Sequence, residues 1–141
     1  MHEKLCVLPW VHMHPFPDGN VSLCCFADHY PVGNLENKTI ADIANSPIMS
    51  EIRRQFLTGE HGTEVKEAGK ECWLKEDIGS VSGRVWFNSL YGDDRIKEII
   101  KDTNIDGSLT SRFKFRNMSN RRSEEHTSEL QSRLHLVCRL L

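Results

Sequence analysis

No stretch of this chain approaches the roughly 18 apolar residues that a membrane-spanning helix requires, and the opening MHEKLCVLPW lacks the apolar core of a secretory signal. Neither sign of charge dominates, since 18 Lys and Arg stand against 20 Asp and Glu, so the basic surface that grips a nucleic acid is missing. The chain also lacks a phosphate-cradling glycine loop, a Ser-His-Asp order and any pair of carboxylates spaced for acid-base work. Apolar residues make up only 38% of the 141, which is little for a small domain held by its core alone and points to an additional staple. These absences predict a cytoplasmic protein with neither membrane nor nucleic acid as partner.

What the chain does have is five cysteines, Cys6, Cys24, Cys25, Cys72 and Cys138. In a reducing compartment such a set points to metal or redox chemistry rather than to disulfides. Cys138 falls in a tail that stands apart. Arg122 to Ser132 reads RSEEHTSELQS, which resembles the translation of a common sequencing-library adapter, and RLHLVCRLL resembles the usual read-on. Leu130, Leu134 and Val137 fall at helical spacings, so periodicity alone reads the tail as an amphipathic helix. Residues 122–141 are therefore set aside as an expected artifact, to make few contacts with the rest, and Cys138 leaves the ligand set.

Residues 8–26, LPWVHMHPFPDGNVSLCCF, place a Pro-Asp-Gly-Asn turn between two short aromatic and β-branched segments, the pattern of a β-hairpin. The expected pairing is Trp10 to Phe16 against Val21 to Phe26, with Trp10, His12 and His14 sharing one face by period 2. Cys24 and Cys25 then end the second strand and point to opposite faces. A turn at Gly33-Asn34 follows, then a short helix over Thr39 to Ala44. Ser46-Pro47 reads as an N-cap and first helical residue, opening a helix to Leu57 that Gly59 stops. Its stripe of Ile48, Ile52 and Phe56, with Met49 beside it, is expected to pack, and Glu51, Arg53 and Arg54 to face solvent. EHGTEVKEAGKE reads as a polar loop, WLKEDI as helical, Gly79 to Gly83 as irregular, and Asp93 to Lys101 as a last helix with acids at its front. The fold class is α+β: a small domain with an N-terminal β-hairpin followed by short helices, its cysteines gathered at a metal-cluster site.

The informative spacing is Cys6, twelve residues, Gly19, four residues, Cys24. A hairpin returns on itself, so thiols with seventeen residues between them in sequence can meet at its open end, with Cys72 approaching from beyond the helices. Together with Pro9-Trp10, Asp18-Gly19-x-Val21, Cys24-Cys25, Val32-Gly33-Asn34-Leu35, Ser46-Pro47 and Ile52-Arg53, this pattern resembles the SPASM/twitch domain family over roughly residues 5–88. The resemblance implies an auxiliary 4Fe-4S cluster beside a radical S-adenosylmethionine core, assisting substrate binding or electron transfer. It implies Cys6, Cys24 and Cys72 as metal ligands, with Cys25 the weaker candidate. Thiolate ligation from loops and hairpin ends suits iron-sulfur clusters.

One position departs from the family pattern. The family has a C-x-x-C pair before an aromatic residue and an acid; here Cys72-Trp73-x-x-Glu76 keeps the second half and Gly69 replaces the first cysteine. The alternatives for this position are a sequencing error, an open iron position, a substitute ligand such as Cys25 or His61, and loss of the cluster. Gly69→Cys is expected to complete the pair and to alter the apo form little. Asp106-Gly107-Ser108 and Phe113 to Asn120 resemble the lead-in to the C-x-x-x-C-x-x-C motif of a radical S-adenosylmethionine core, and that motif is missing from this chain. The division implied is an iron-sulfur domain over 1–88, a connection to the missing core over 89–121 and the artifact tail over 122–141. The chain itself then has no catalytic residue, S-adenosylmethionine belongs to the missing core, and the partners are that core and a peptide or small-molecule substrate of the parent enzyme.

The competing reading is a zinc-stabilised or metal-free protein-interaction module, with His12, His14, His29 and His61 as further donors. These histidines lack the compact spacing of structural zinc sites, and Cys25 reads more simply as core packing.

Overall fold

The computed structural model describes residues 3–110. The adapter-like tail, Cys138 and the segment from Phe113 to Asn120 lie outside them, as does the expectation that residues 122–141 make few contacts.

Leu8–Val11 forms a helical turn, α1, opened by Pro9 near its start. Three short strands follow: β1 (His14–Pro15), β2 (Asn20–Ser22) and β3 (Gly33–Asn34), antiparallel in that order. His14 pairs with Ser22 and Pro15 with Val21, while Asn20 and Val21 pair with Asn34 and Gly33. The hairpin is real but shorter than expected. Trp10 sits in the helical turn rather than in a strand, because Trp10 and His12 donate their amides to Val7 and Leu8 carbonyls. Cys24 and Cys25 fall in the turn beyond β2, and Gly33-Asn34 is an edge strand rather than a turn. Gly19, at φ 89, lets the Asp18-Gly19 turn close, and Asp18 Oδ1 accepts from the Asn20 amide at 3.0 Å.

The helices are α2 (Ile40–Ala44), α3 (Pro47–Thr58), α4 (Thr63–Ala68), α5 (Lys70–Asp77), α6 (Gly83–Tyr91) and α7 (Asp93–Ile100). Thr39 and Asp42 form a capping box on α2, Ser46 caps α3, and Gly59 ends α3 in the left-handed conformation at φ 74. Met49, Ile52 and Phe56 of α3 are buried in one core cluster with Val7, Val21, Ile43 and Val65, and the half-buried Ile48 packs against it. Arg53, expected in solvent, is fully buried. It donates Nε to the Pro9 carbonyl at 2.9 Å and Nη2 to the Ala44 carbonyl at 2.6 Å, so the cation ties α1 and α2 to α3. The stretch read as a polar loop holds α4, whose Val65 and Ala68 are buried. No sequence expectation covered α6, which adds Phe87 to the core, while α7 adds Ile96. No helix among the described residues is long and apolar enough to cross a membrane.

Candidate metal-cluster site

Three separate segments bring a cysteine each to one cavity. Cys6 precedes α1, Cys24 lies in the turn after β2, and Cys72 sits in the first turn of α5. All three are buried, all three are free thiols, and they line one cavity of about 350 Å³, its open mouth included. Its walls are otherwise apolar, built from Leu8, Leu23, Phe26, Phe56, Ala68 and Trp73, with Gly69, Gly83 and Arg84 completing it. Cys25 is half-buried and does not line the cavity.

Each thiol meets backbone N–H groups. The Leu8 amide favours the Cys6 thiolate, the Phe26 and Ala27 amides that of Cys24, and the Arg84 and Gly83 amides that of Cys72. Against this, burial pushes the Cys6 thiol far above its ordinary range, and the neighbouring Cys24 and Cys72 push it further. Burial likewise drives Cys24 up to about 12, with Cys72 adding to the shift. Burial also raises Cys72, with Glu76 contributing. Burial opposes charge on each of the three sulfurs, so they stay protonated at neutral pH until a metal centre binds among them. Amide donors aimed at the sulfurs and an apolar lining are the features that hold and tune iron-sulfur clusters.

Among the described residues no three His, Cys, Asp or Glu side chains close on a single point as one metal ion requires. A cluster makes a different demand, since it offers separate irons to separate thiolates around its periphery. The donor set, thiols alone around an apolar cavity, fits such a cluster. The histidines considered as donors lie elsewhere. The His12 and His14 rings lie tilted to each other with centroids 5.9 Å apart, His29 Nε2 lies 2.6 Å from the Glu67 carbonyl, and His61 packs on Phe56 and Trp73. None of them lines the cavity.

Gly69, where the family pattern has a cysteine, lines the same cavity. The Trp73 indole occupies the space a side chain there would take: a β-carbon on Gly69 would meet indole atoms at 2.7 to 2.9 Å. Sequence reasoning missed Arg84 and Asn88. Asn88 Nδ2 donates to the Leu5 carbonyl at 2.7 Å and its Oδ1 accepts from the Val7 amide at 3.0 Å, so it grips the backbone on both sides of Cys6. The sole sequence signal for their helix is Ser82, whose hydroxyl accepts from the Val85 amide as an N-cap.

Residues 6–73 match the family model of SPASM, an iron-sulfur cluster-binding domain. No curated protein and no solved structure matches the chain.

Proposed function

We propose that this segment is a SPASM domain that holds a 4Fe-4S cluster through Cys6, Cys24 and Cys72 and serves as the auxiliary-cluster domain of a radical S-adenosylmethionine enzyme in the cytoplasm. The observation that supports this reading best is the convergence of three buried thiols, each from a different segment and each met by backbone amides, on one apolar cavity. When bound, such a cluster supplies one-electron redox capacity and an iron centre that can take a ligand. The chain's own residues do the rest. The amides stabilise thiolate charge, Leu8, Leu23, Phe26 and Phe56 exclude water, and α6 holds the Cys6 segment in place. Cysteine thiols must lose their protons on ligation, so loading releases protons and adds folding free energy. The parent's S-adenosylmethionine core, and a peptide or small-molecule substrate beside it, are the partners this role requires.

The test is anaerobic reconstitution with iron and sulfide. Brown protein with broad absorption near ~400 nm and about four irons per chain is expected. Colourless protein that takes up zinc and no iron would favour the zinc-stabilised module instead. Sequencing the gene beyond Asn120 checks the wider context, where the C-x-x-x-C-x-x-C motif of the core is expected.

A further inference from the structure

The cluster-binding segment matched by family ends at residue 73, yet the cavity does not. Arg84 of α6 lines it and is only 8% exposed. Its Nη1 donates to the carbonyls of Glu3 and Leu5, both at 2.9 Å, the second lying immediately before Cys6. Its Nε donates to Glu76 Oε1 at 2.8 Å, and its guanidinium carbon stands 5.6 Å from the centre of the Trp73 ring. Glu76 is in turn held by the Ser82 hydroxyl at 2.6 Å and by Lys4 at 3.3 Å. The guanidinium is thus fixed on several sides, and no other charged residue among those described lines the cavity.

We propose that Arg84 is a positioning residue of the cluster site, clamping the Cys6 strap and setting a fixed positive charge beside the thiolates, so that it raises the cluster's reduction potential. The proposal rests on the cluster reading above. A cluster that gains an electron gains negative charge, and a nearby cation stabilises the reduced state more than the oxidised one. Burial strengthens the effect, because the charge is little screened by water. Glu76 opposes it as the counter-charge, so the pair forms a two-sided control: removing the cation and removing the anion should move the potential in opposite directions.

The experiment reconstitutes the full chain and its variants R84K, R84Q and E76Q anaerobically, measures iron and sulfide per chain, and titrates each with dithionite through mediator dyes. The reduced cluster is followed by electron paramagnetic resonance. Each cluster takes one electron from the titrant, and no other bond is made or broken. R84Q should show a more negative midpoint potential, E76Q a more positive one, and R84K a value near the parent's. A loaded R84Q with the parent's potential, or an R84K displaced as far as R84Q, overturns the proposal. Should R84Q fail to fold, an E76Q potential equal to the parent's or below it overturns the proposal as well. Absence of iron from the parent chain overturns the cluster reading itself, whereas a loaded parent with unmoved variants overturns only the role of Arg84.

Discussion

A β-carbon on Gly69 would stand 2.7 Å from Nε1 of Trp73, so the indole covers the position at which the family pattern has a cysteine. The ring is held there, since its Nε1 donates to the Val65 carbonyl at 3.1 Å and Arg84 and Lys4 lie over its face. Gly69→Cys therefore does not leave the apo form unchanged, as the spacing alone suggested. It should lower apo stability by about 1–3 kcal/mol through overpacking. Reconstitution should reverse the order, because a fourth thiolate adds ligation energy to folding. Thermal melts with and without cluster, beside iron and sulfide assays, read both effects. Equal iron loading in both proteins would show that Gly69 is not the vacant ligand position.

The three cavity thiols should be unequal to the fourth cysteine next door. Cys6→Ser, Cys24→Ser and Cys72→Ser should each lose most of the reconstituted iron and the visible absorption. Cys25→Ser should keep both, since Cys25 does not line the cavity. A Cys25→Ser protein that fails to load while remaining folded by circular dichroism would move the ligand assignment to Cys25.

Burial would raise the Glu76 carboxyl, but hydrogen bonds from Arg84 and Ser82 and the charge of Arg84 outweigh it and hold it below its ordinary 4.5. The sign follows: a carboxylate depressed in the folded state contributes stability that is present above 4.5 and is lost as pH falls through the folded value. The apo chain should therefore soften in acid as the Glu76–Arg84 pair opens and the Cys6 strap is released. Urea midpoints taken between neutral and acidic pH should fall less steeply for Glu76→Gln than for the parent. Parallel slopes would show that this carboxylate is not the group responsible.

Local chemistry made some elements legible in the sequence and left others hidden. Ser46-Pro47 and Gly59 fix the ends of α3 through bonds within a few residues, and Asp18-Gly19 fixes the hairpin turn in the same way. The cysteine spacing was legible because a turn returns the chain on itself. Arg53 was not, since its burial depends on the Pro9 and Ala44 carbonyls, neither of them near it in the chain. α4 was hidden by its polar composition, with only Val65 and Ala68 facing inward. Arg84 and Asn88 act on backbone some eighty residues away, a relation that no spacing rule encodes.

The buried Arg53 gives a stability test independent of any metal. Truncation to alanine leaves the Pro9 and Ala44 carbonyls without their donor and opens a cavity in the core, a loss of about 3 kcal/mol or more. Arg53→Met keeps much of the volume and should cost less. Urea unfolding with an unchanged denaturant slope is the measurement, and a shift within about 0.5 kcal/mol, typical of exposed sites, would contradict the anchoring role.

Gly107 offers the sharpest backbone test. It has φ 84, and a β-carbon there would lie 1.8 Å from the Ser50 carbonyl oxygen and 2.7 Å from the Arg54 amide nitrogen, atoms of α3 that cannot turn aside. The loop around it is closed by the Thr103–Leu109 bridge and by the Asn104 amide on the Ser108 carbonyl at 2.8 Å, and it meets the core where Trp10 Nε1 donates to Thr103 Oγ1 at 2.7 Å. Gly79 is the control, with a similar φ of 77 but nothing within 4 Å of the added carbon. Gly79→Ala should cost only the left-handed strain, about 1–2 kcal/mol. Gly107→Ala adds a clash with backbone, which the chain can relieve only by lifting the loop from α3. Amide exchange of residues 103–110 should then accelerate, the Trp10 indole should lose its partner, and α3 itself should stay protected. Equal exchange in the two variants would show that the close approach to Ser50 does not hold this loop.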